Sequence, residues 1–375
     1  MKRVIVLGST GIVGQQALEV IKGSGERLKV VGLSARASYS LLLQQAKAFR
    51  PRYLYYQPGQ DTGGLSSEGT EYLLPEEMVK EPDVDVVVVA RAGLGALTPT
   101  LEAIRAGKEV VLANTEAMVA AGQVIMAEVR ARGGQLHLVE SEPAALMRCL
   151  LGEKSQPLSM VVTSSWGPYR AVALHRTPRI GGPEVLGYPV RRLNQKRAID
   201  AATLMNKGFQ VIQIHHLFGI PYERIHVIGH PQDVVRGVVQ FADGGVKAVL
   251  GSPDPRFWIR HALLEGSDEG GLSIPPVALE NLRELGFSPL NESQFPSFQV
   301  ALEAGRRGGT FPAVLNAADE VAISLFLTNQ IGFREVHKVI RAALERHQGV
   351  SDPSVEDIFG ADAWAREFVS RQVPE

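Results

Sequence analysis

The chain has 375 residues, of which 45% are apolar and 21% charged, and its formal net charge is −1. This balance predicts a globular protein of two or three domains, and it argues against nucleic acid or an anionic membrane as a partner. The single cysteine, Cys149, excludes an internal disulfide and a cysteine metal cluster. The sequence shows neither a signal peptide nor an apolar run of about 18 residues, so we expect a cytoplasmic protein.

The amino-terminal third alternates short β-branched runs with segments of helical periodicity. Strands are predicted at 3–8, 29–34, 52–56, 84–90, 109–114 and 136–140, and helices at 13–22, 40–49, 98–106 and 116–132. Continuously apolar strands separated by helices are typical of a parallel sheet covered on both faces. We therefore predict an α/β fold in which residues 1–150 form a Rossmann-type, doubly wound parallel sheet.

The turn after the first predicted strand is rich in glycine. It consists of Gly8, Ser9, Thr10, Gly11, Ile12, Val13 and Gly14. Glycines at a strand-to-helix turn let the backbone approach a pyrophosphate, which the N–H groups at the helix amino end then bind. The GxxGxxG spacing is less common than GxGxxG, and a glycine turn without a ligand is the alternative. Its position directly after the first strand favours a dinucleotide site.

The end of the second predicted strand distinguishes between the nicotinamide cofactors. An NAD site usually has an acidic residue there, to bind the ribose 2′-hydroxyl. This chain instead has Arg36, with Ser38 close by. A guanidinium is suited to a 2′-phosphate, so we predict NADPH as the cofactor. The alternative is that Arg36 is a solvated loop residue.

The pattern changes after residue 150. Strands are predicted at 158–166, 225–230, 234–241 and 246–251, with a hairpin turn at 242–245 and one helix over 197–218. These elements predict an α+β catalytic domain at 151–264. Residues 265–295 are rich in Gly, Pro, Ser and Asn, as linkers are, and helices at 297–306, 312–327 and 333–347 predict a small carboxyl-terminal helical domain at 296–375.

Three polar clusters are candidates for the chemistry. Glu140 and Glu142 flank Ser141 at the end of the last predicted Rossmann strand, where residues two apart share a face and both carboxylates meet one divalent cation. An acidic pair on a loop is the alternative. Ser165 lies in a hydroxyl-rich run before Gly167 and Pro168. The hydroxyl groups of such a run bind phosphate oxygens, or alternatively they only cap a turn. The third cluster, a polar helix patch or merely a solvated helix face, contains Asn206, Lys207 and Gln210.

Taken together, these segments resemble the 1-deoxy-D-xylulose 5-phosphate reductoisomerase family. The resemblance runs through GSTGIVG, LANTEAM, VESEPAA, TSSWGPYR, DAATLMNKG, IGHPQD, LGSPDPR and LNAADEVAISLFL, and covers about residues 1–360. It implies an NADPH-binding domain, a catalytic domain, a linker and a helical domain in a homodimer that requires Mg²⁺ or Mn²⁺. The implied reaction isomerises a phosphorylated ketose to a branched aldehyde, which NADPH reduces to 2-C-methyl-D-erythritol 4-phosphate.

The resemblance also implies roles for individual residues. Thr10, Gly11, Ile12 and Val13 match the cofactor turn, and Asn114 and Glu116 match nucleotide-side positions. Ser141 and Glu142 match the family's D-S-E segment, with Glu140, Glu142 and Gln210 at the metal-ligand positions. Ser165, Asn206 and Lys207 match contacts to the substrate or its phosphate, and Tyr188 and Arg191 match positions in a loop over the pocket.

Several pocket positions depart from the family pattern. Thr115 replaces a lysine, Glu140 an aspartate, Gln210 a glutamate, Tyr188 a histidine, Arg191 a tryptophan and Ala201 a serine. We therefore expect an NADP-dependent oxidoreductase with a remodelled pocket, a weaker or absent divalent cation, and a different phosphorylated ketose, polyol or related substrate. One alternative is a genuine 1-deoxy-D-xylulose 5-phosphate reductoisomerase. The other is a non-catalytic NADP-binding sensor.

Overall fold

The computed structural model describes residues 1–36, 38–57, 69–165, 195–252, 254–264 and 273–372. Within them the chain forms two compact units. Unit 1 consists of Met1–Ala117, Ile125–Ala144 and Gly251–Val277, and unit 2 of Met118–Val124, Ala145–Leu250 and Ala278–Glu375. No helix among the described residues is long and apolar enough to cross a membrane.

Unit 1 is built around a seven-stranded parallel sheet. Its strands are β1 (Lys2–Leu7), β2 (Leu28–Ala35), β3 (Tyr53–Tyr56), β4 (Glu71–Tyr72), β5 (Val86–Val89), β6 (Glu109–Leu112) and β7 (Leu136–Leu138), in the order β4-β3-β2-β1-β5-β6-β7. The order reverses at β1, which is the doubly wound topology that the apolar runs predicted. The predicted Rossmann-type α/β fold is confirmed.

Helices connect these strands. They are α1 (Ile12–Gly23), α2 (Tyr39–Phe49), α3 (Pro75–Met78), α4 (Leu97–Arg105), α5 (Thr115–Arg132) and α6 (Ser141–Leu150). Residues Val4, Val6, Val86 and Val88 of the central strands are fully buried, as expected when helices cover both faces of a sheet. Helix α5 bends at Ala121, whose backbone is not helical.

Unit 2 contains a mixed sheet. Its strands are β8 (Pro157–Ser164), β9 (Ile225–Gly229), β10 (Val235–Phe241), β11 (Val246–Leu250) and β12 (Ser288–Pro289), in the order β11-β10-β8-β9-β12. Strands β10 and β11 form the predicted antiparallel hairpin, while β8 and β9 are parallel. The helices are α7 (Gln195–Thr203), α8 (Met205–Phe218), α10 (Pro296–Arg307), α11 (Phe311–Leu327), α12 (Phe333–Arg346) and α13 (Val355–Ser370).

Two features of the helices differ from the sequence-based expectation. The helix predicted at 197–218 is two helices, because Leu204 between α7 and α8 has a left-handed backbone with φ of 57°. Helix α9 (Pro255–Leu264) was not predicted, and its Ile259 and Leu263 join the core of unit 1, whereas the sequence placed residues 251–264 in the catalytic domain. The boundaries of the four predicted segments (1–150, 151–264, 265–295 and 296–375) stay predictions.

Candidate active site

The glycine-rich turn between β1 and α1 is held by close backbone packing. Gly8 has φ of +84°, and a Cβ there would lie 2.7 Å from the Ala90 carbonyl oxygen. At Gly14 a Cβ would lie 2.2 Å from the Gly8 oxygen, so the helix can approach the strand only without a side chain. Glycine is therefore required at both positions, which is the role the sequence pattern assigned to them.

Polar contacts fix the rest of this turn. The backbone N–H groups of Gly8 and Ser9 both donate to the Ser34 carbonyl oxygen, each at 2.9 Å. The buried Ser9 hydroxyl donates to Gln45 Oε1 at 2.7 Å, and Gln45 Nε2 donates back to the Ser9 carbonyl at 2.9 Å. Gly11 precedes α1 and Ile12 begins it, with Ile12 59% exposed. The amino end of α1 is thus open for an anion.

The other predicted cofactor residues lie at the same, carboxyl edge of the sheet. Thr10 and Val13 are half-buried in the turn, and Arg36 is exposed just after β2, the neighbour of β1. Ser38 is half-buried and precedes α2. This placement is what a cofactor carrying a 2′-phosphate requires, and the individual roles stay predictions.

Asn114 and Glu116 lie where β6 gives way to α5. The buried Asn114 caps α5 by accepting from the Ala117 N–H, and its Nδ2 donates to the carbonyl oxygens of Arg91 (2.6 Å) and Gly93 (3.0 Å). Asn114 therefore holds the chain after β5 in place. Glu116 is half-buried in the first turn of α5, where a negative charge is favoured by the helix dipole.

The predicted metal carboxylates of unit 1 stand at the start of α6 and not on a strand. Strand β7 ends at Leu138, and α6 begins at Ser141, with Pro143 in its first turn. The argument that Glu140 and Glu142 share one face of a strand is therefore wrong, because proline and an acidic residue both favour the first helical turn. Glu140 directly precedes this helix and Glu142 lies in its first turn, so both carboxylates belong to the amino end of one helix.

Hydrogen bonds hold both carboxylates. The Thr115 hydroxyl donates to Glu140 Oε2 at 3.3 Å, and the Ser141 hydroxyl donates to Glu142 Oε2 at 2.6 Å. Glu140 is half-buried and Glu142 is 7% exposed. Thr115, which replaces the family's lysine, therefore contacts the group that replaces the family's aspartate.

In unit 2 the predicted substrate residues lie on β8 and α8. Ser165 is exposed directly after β8. Lys207 is buried and its Nζ donates to Gln210 Oε1 at 2.9 Å. The Asn206 Oδ1 atom is buried and accepts no hydrogen bond from the described residues. Tyr188 and Arg191 lie outside the described residues.

The oxygen donors fit a hard divalent cation. Glu140 and Glu142 supply carboxylates, and Gln210 supplies an amide carbonyl, which are ligand types that Mg²⁺ and Mn²⁺ accept. Across the described ranges, no group of three acidic, histidine or cysteine side chains is arranged around a common point. Gln210 provides an amide oxygen at the position where the resemblance implies a third carboxylate.

These features define a class. A doubly wound α/β unit with an anion-binding glycine turn and acidic side chains at the same sheet edge is typical of nucleotide-dependent oxidoreductases.

Comparison with known proteins narrows this class of oxidoreductases to one family. Three family profiles match: "1-deoxy-D-xylulose 5-phosphate reductoisomerase" at residues 4–122, its "C-terminal domain" at 136–218, and "DXP reductoisomerase C-terminal domain" at 250–368.

Whole-chain relatives agree with the profiles. The chain is 38% identical to the 1-deoxy-D-xylulose 5-phosphate reductoisomerase of Pelotomaculum thermopropionicum, over 98% of this chain and 97% of that protein. It is similar to the Zymomonas mobilis reductoisomerase solved with NADPH, at 31% identity and a TM-score of 0.88, covering 100% and 99% of the chains. A reductoisomerase solved with NADPH, fosmidomycin and magnesium has a TM-score of 0.90 at 27% identity, covering 100% and 98%. The chain belongs to the 1-deoxy-D-xylulose 5-phosphate reductoisomerase family.

Membership confirms the predicted family and enzyme class, an NADP-dependent oxidoreductase. It also corrects one expectation. The prediction of a different substrate is wrong, because relatives at 35–38% identity over the whole chain all carry the name 1-deoxy-D-xylulose 5-phosphate reductoisomerase. The substituted residues Thr115 and Gln210 each hydrogen-bond to another predicted site residue of the same unit, Thr115 to Glu140 and Gln210 to Lys207.

Proposed function

We propose that this protein converts 1-deoxy-D-xylulose 5-phosphate to 2-C-methyl-D-erythritol 4-phosphate, using NADPH and a divalent cation. One observation within unit 1 supports this most. The glycine turn after β1 and the carboxylates after β7 lie at the same edge of the sheet, three strands apart, which corresponds to about 14 Å. A dinucleotide bound at Gly8–Val13 and extended along that edge brings its nicotinamide end toward Glu140 and Glu142.

The predicted site residues are then assigned individual roles. In unit 1, Glu140 and Glu142 would hold the cation, which would supply polarisation of the substrate's carbonyl and hydroxyl oxygens. The family resemblance adds the carbonyl of Gln210 as a further ligand. Ser141 orients Glu142 through their hydrogen bond. Ser165, Asn206 and Lys207 would bind the phosphate end of the substrate, with the buried Lys207 ammonium as the cationic group.

We further propose that the cation binds more weakly than at a site with three carboxylates. Replacing a glutamate by Gln210 removes one negative charge near the metal position, and Lys207 Nζ already uses one lone pair of Gln210 Oε1. The support is electrostatic: an amide oxygen carries only a partial charge, so it attracts a dication less than a carboxylate does.

The test is NADPH oxidation with 1-deoxy-D-xylulose 5-phosphate in the presence of Mg²⁺ or Mn²⁺, repeated with a chelator. We expect metal-dependent turnover that Glu142→Gln abolishes while NADPH still binds. Glu26→Gln, the same change at an exposed turn, should leave turnover unchanged. Binding of NADPH without turnover of this substrate at any metal concentration would refute the proposal. The implied homodimer stays a prediction that sedimentation of the purified protein tests.

A further inference from the structure

Arg236 is a buried arginine whose charge is only partly matched. It lies on β10 with 5% of its surface exposed. Its Nη1 donates to Asp233 Oδ1 at 3.0 Å, and this carboxylate is itself 46% exposed. The Nε and Nη2 atoms are buried and have no acceptor among the described residues. Leaving charged donors buried without acceptors is costly, so an arginine in this state points to a ligand that is an acceptor.

The two unmatched atoms are a geometric pair. The Nε–H and the adjacent Nη2–H point in the same direction from the planar guanidinium, and together they form the side-on fork that binds two oxygens of a phosphate or a carboxylate. Asp233 occupies only the other nitrogen. The one ion pair of Arg236 therefore leaves the fork available.

Backbone contacts place Arg236 near the end of β8, where Ser165 lies. The pairing of β10 with β8 begins at Gly237, and the pairing of β10 with β11 shifts register between Val235 and Gly237, so Arg236 lies at an irregularity of its strand. The Thr163 hydroxyl donates to the carbonyl oxygens of Val235 (2.5 Å) and Arg236 (3.4 Å). Ser165 follows two residues after Thr163, a step of about 7 Å along an extended chain, which a long side chain spans.

The loop after β9 closes this corner. His230 donates its N–H to the Ser164 carbonyl at 2.7 Å, and Asp233 donates its N–H to the His230 carbonyl at 3.1 Å. Because β9 and β10 lie on opposite sides of β8, residues 230–234 cross the end of β8 where Ser165 emerges. Arg236, Ser165 and this loop thus surround one corner of the sheet in unit 2.

We propose that Arg236 is a further phosphate-binding residue, which receives the substrate's phosphate on its Nε–Nη2 fork beside Ser165. The proposal rests on the proposed function in that the ligand is a phosphorylated substrate. It adds a guanidinium to the groups proposed to bind the phosphate, among which Ala201 replaces a serine of the family pattern. A bidentate guanidinium contact compensates for such lost hydrogen bonds, because charge-assisted bonds are about twice as strong as neutral ones.

The experiment uses the NADPH-loaded full chain with inorganic phosphate as the probe, by calorimetry and as an inhibitor of turnover. Arg236→Gln should weaken phosphate binding and raise the KM for substrate about 10- to 100-fold, with the NADPH Kd unchanged. Arg236→Lys keeps the charge and loses the fork, so its phosphate affinity and its KM should lie between those of the unsubstituted protein and those of Arg236→Gln. Arg306→Gln removes the same charge from an arginine that is 51% exposed in the same unit, and should change neither constant.

The outcomes separate this inference from the proposed function. If phosphate affinity and KM are the same in Arg236→Gln and in the unsubstituted protein, the inference is wrong, whatever the turnover. If 1-deoxy-D-xylulose 5-phosphate is not turned over but phosphate binding still depends on Arg236, the function fails and the anion site stands. A loss of NADPH affinity in Arg236→Gln equal to its loss of phosphate affinity would show a general structural role and also contradict the inference.

Discussion

The buried cluster of Lys196, Asp200 and Asp319 gives a sharp prediction about stability. Lys196 Nζ lies 2.8 Å from Asp200 Oδ2 and 2.5 Å from Asp319 Oδ2, which joins α7 to α11. Both aspartates are buried, at 5% and 1% exposure, so the ionised cluster carries a net charge of −1 away from water. Replacing Asp319 with asparagine keeps the size of the side chain and an acceptor for Lys196, and removes that net charge.

The magnitude follows from the geometry. Two oxygens that both contact one nitrogen lie within about 5 Å of each other, where two like charges repel by about 3 kcal/mol at an effective dielectric constant of 20. The attraction between Lys196 and Asp319 is lost in the variant, but so is the cost of burying a second carboxylate, which is several kcal/mol. Burial raises the pKa of Asp319 even though Lys196 lowers it, so the fold disfavours the ionised side chain on balance.

The stability of this cluster depends on pH. Burial and the neighbouring Asp319 raise the pKa of Asp200 well above its ordinary value, and the pKa of Asp319 is raised as well. An acid whose pKa is higher in the folded than in the unfolded protein binds its proton more tightly in the folded state. Its contribution to the free energy of unfolding is complete below the pKa of the unfolded protein, about 4, and is lost as the pH rises through the pKa of the folded protein. We therefore expect Asp319→Asn to match the unsubstituted protein near pH 4 and to be more stable by about 1–3 kcal/mol at pH 8.

Thermal denaturation followed by circular dichroism at pH 4.5 and pH 8 is the assay. The expected gain corresponds to a rise in Tm of about 2–8 °C at pH 8. Asp352→Asn, the same change at an exposed position, should shift neither transition. Lys196→Met, which leaves two buried carboxylates unmatched, should lose about 3–5 kcal/mol. A lower Tm for Asp319→Asn at pH 8 would refute the reasoning, because the lost ion pair would then outweigh the relieved charge.

Three further predictions concern the cofactor and the metal. Arg36→Ala should raise the Kd for NADPH at least tenfold and leave that for NADH nearly unchanged, and equal effects in a fluorescence titration would contradict the 2′-phosphate assignment. Gly14→Ala should lose measurable NADPH binding or fold poorly, since its Cβ would lie 2.2 Å from the Gly8 oxygen; normal binding in the same titration would show that α1 can shift freely. Gln210→Glu should lower the Mg²⁺ concentration for half-maximal turnover about tenfold, although pairing with Lys207 limits the gain, and no change would place Gln210 outside the metal site.

Much of unit 1 could be predicted because its signals are local. The run at 84–90 is apolar at nearly every position, and only a strand covered on both faces needs that pattern. Helix α6 escaped prediction because the strand-face argument for Glu140 and Glu142 treated the chain after residue 140 as extended, although Ser141, Glu142 and Pro143 all favour a helix start. Helix α9 begins at Pro255 in a segment for which no element was predicted, and its apolar face has a partner only in the folded core.

Contacts between distant residues explain what the sequence could not supply. Gln45 lies 36 residues from Ser9, yet the two exchange hydrogen bonds that fix the cofactor turn. Arg236 is unremarkable in sequence, and only the fold brings its backbone against Thr163, two residues before Ser165. One local signal was present but unused: Lys196 and Asp200 are four residues apart on one helix, the spacing of an ion pair. Its third member, Asp319, belongs to α11 and is 123 residues from Lys196.

The substitutions in the pocket misled the sequence-based argument for a physical reason. Read one position at a time, the change of a lysine to Thr115 or a glutamate to Gln210 removes a charge and so suggests a different ligand. In the fold, Thr115 donates to Glu140, and Gln210 accepts from Lys207. Each substituted side chain therefore has a hydrogen-bond partner among the predicted site residues. The loss of a charge at a single position is weaker evidence for a new substrate than similarity over the whole chain, and this is why family membership outweighs it.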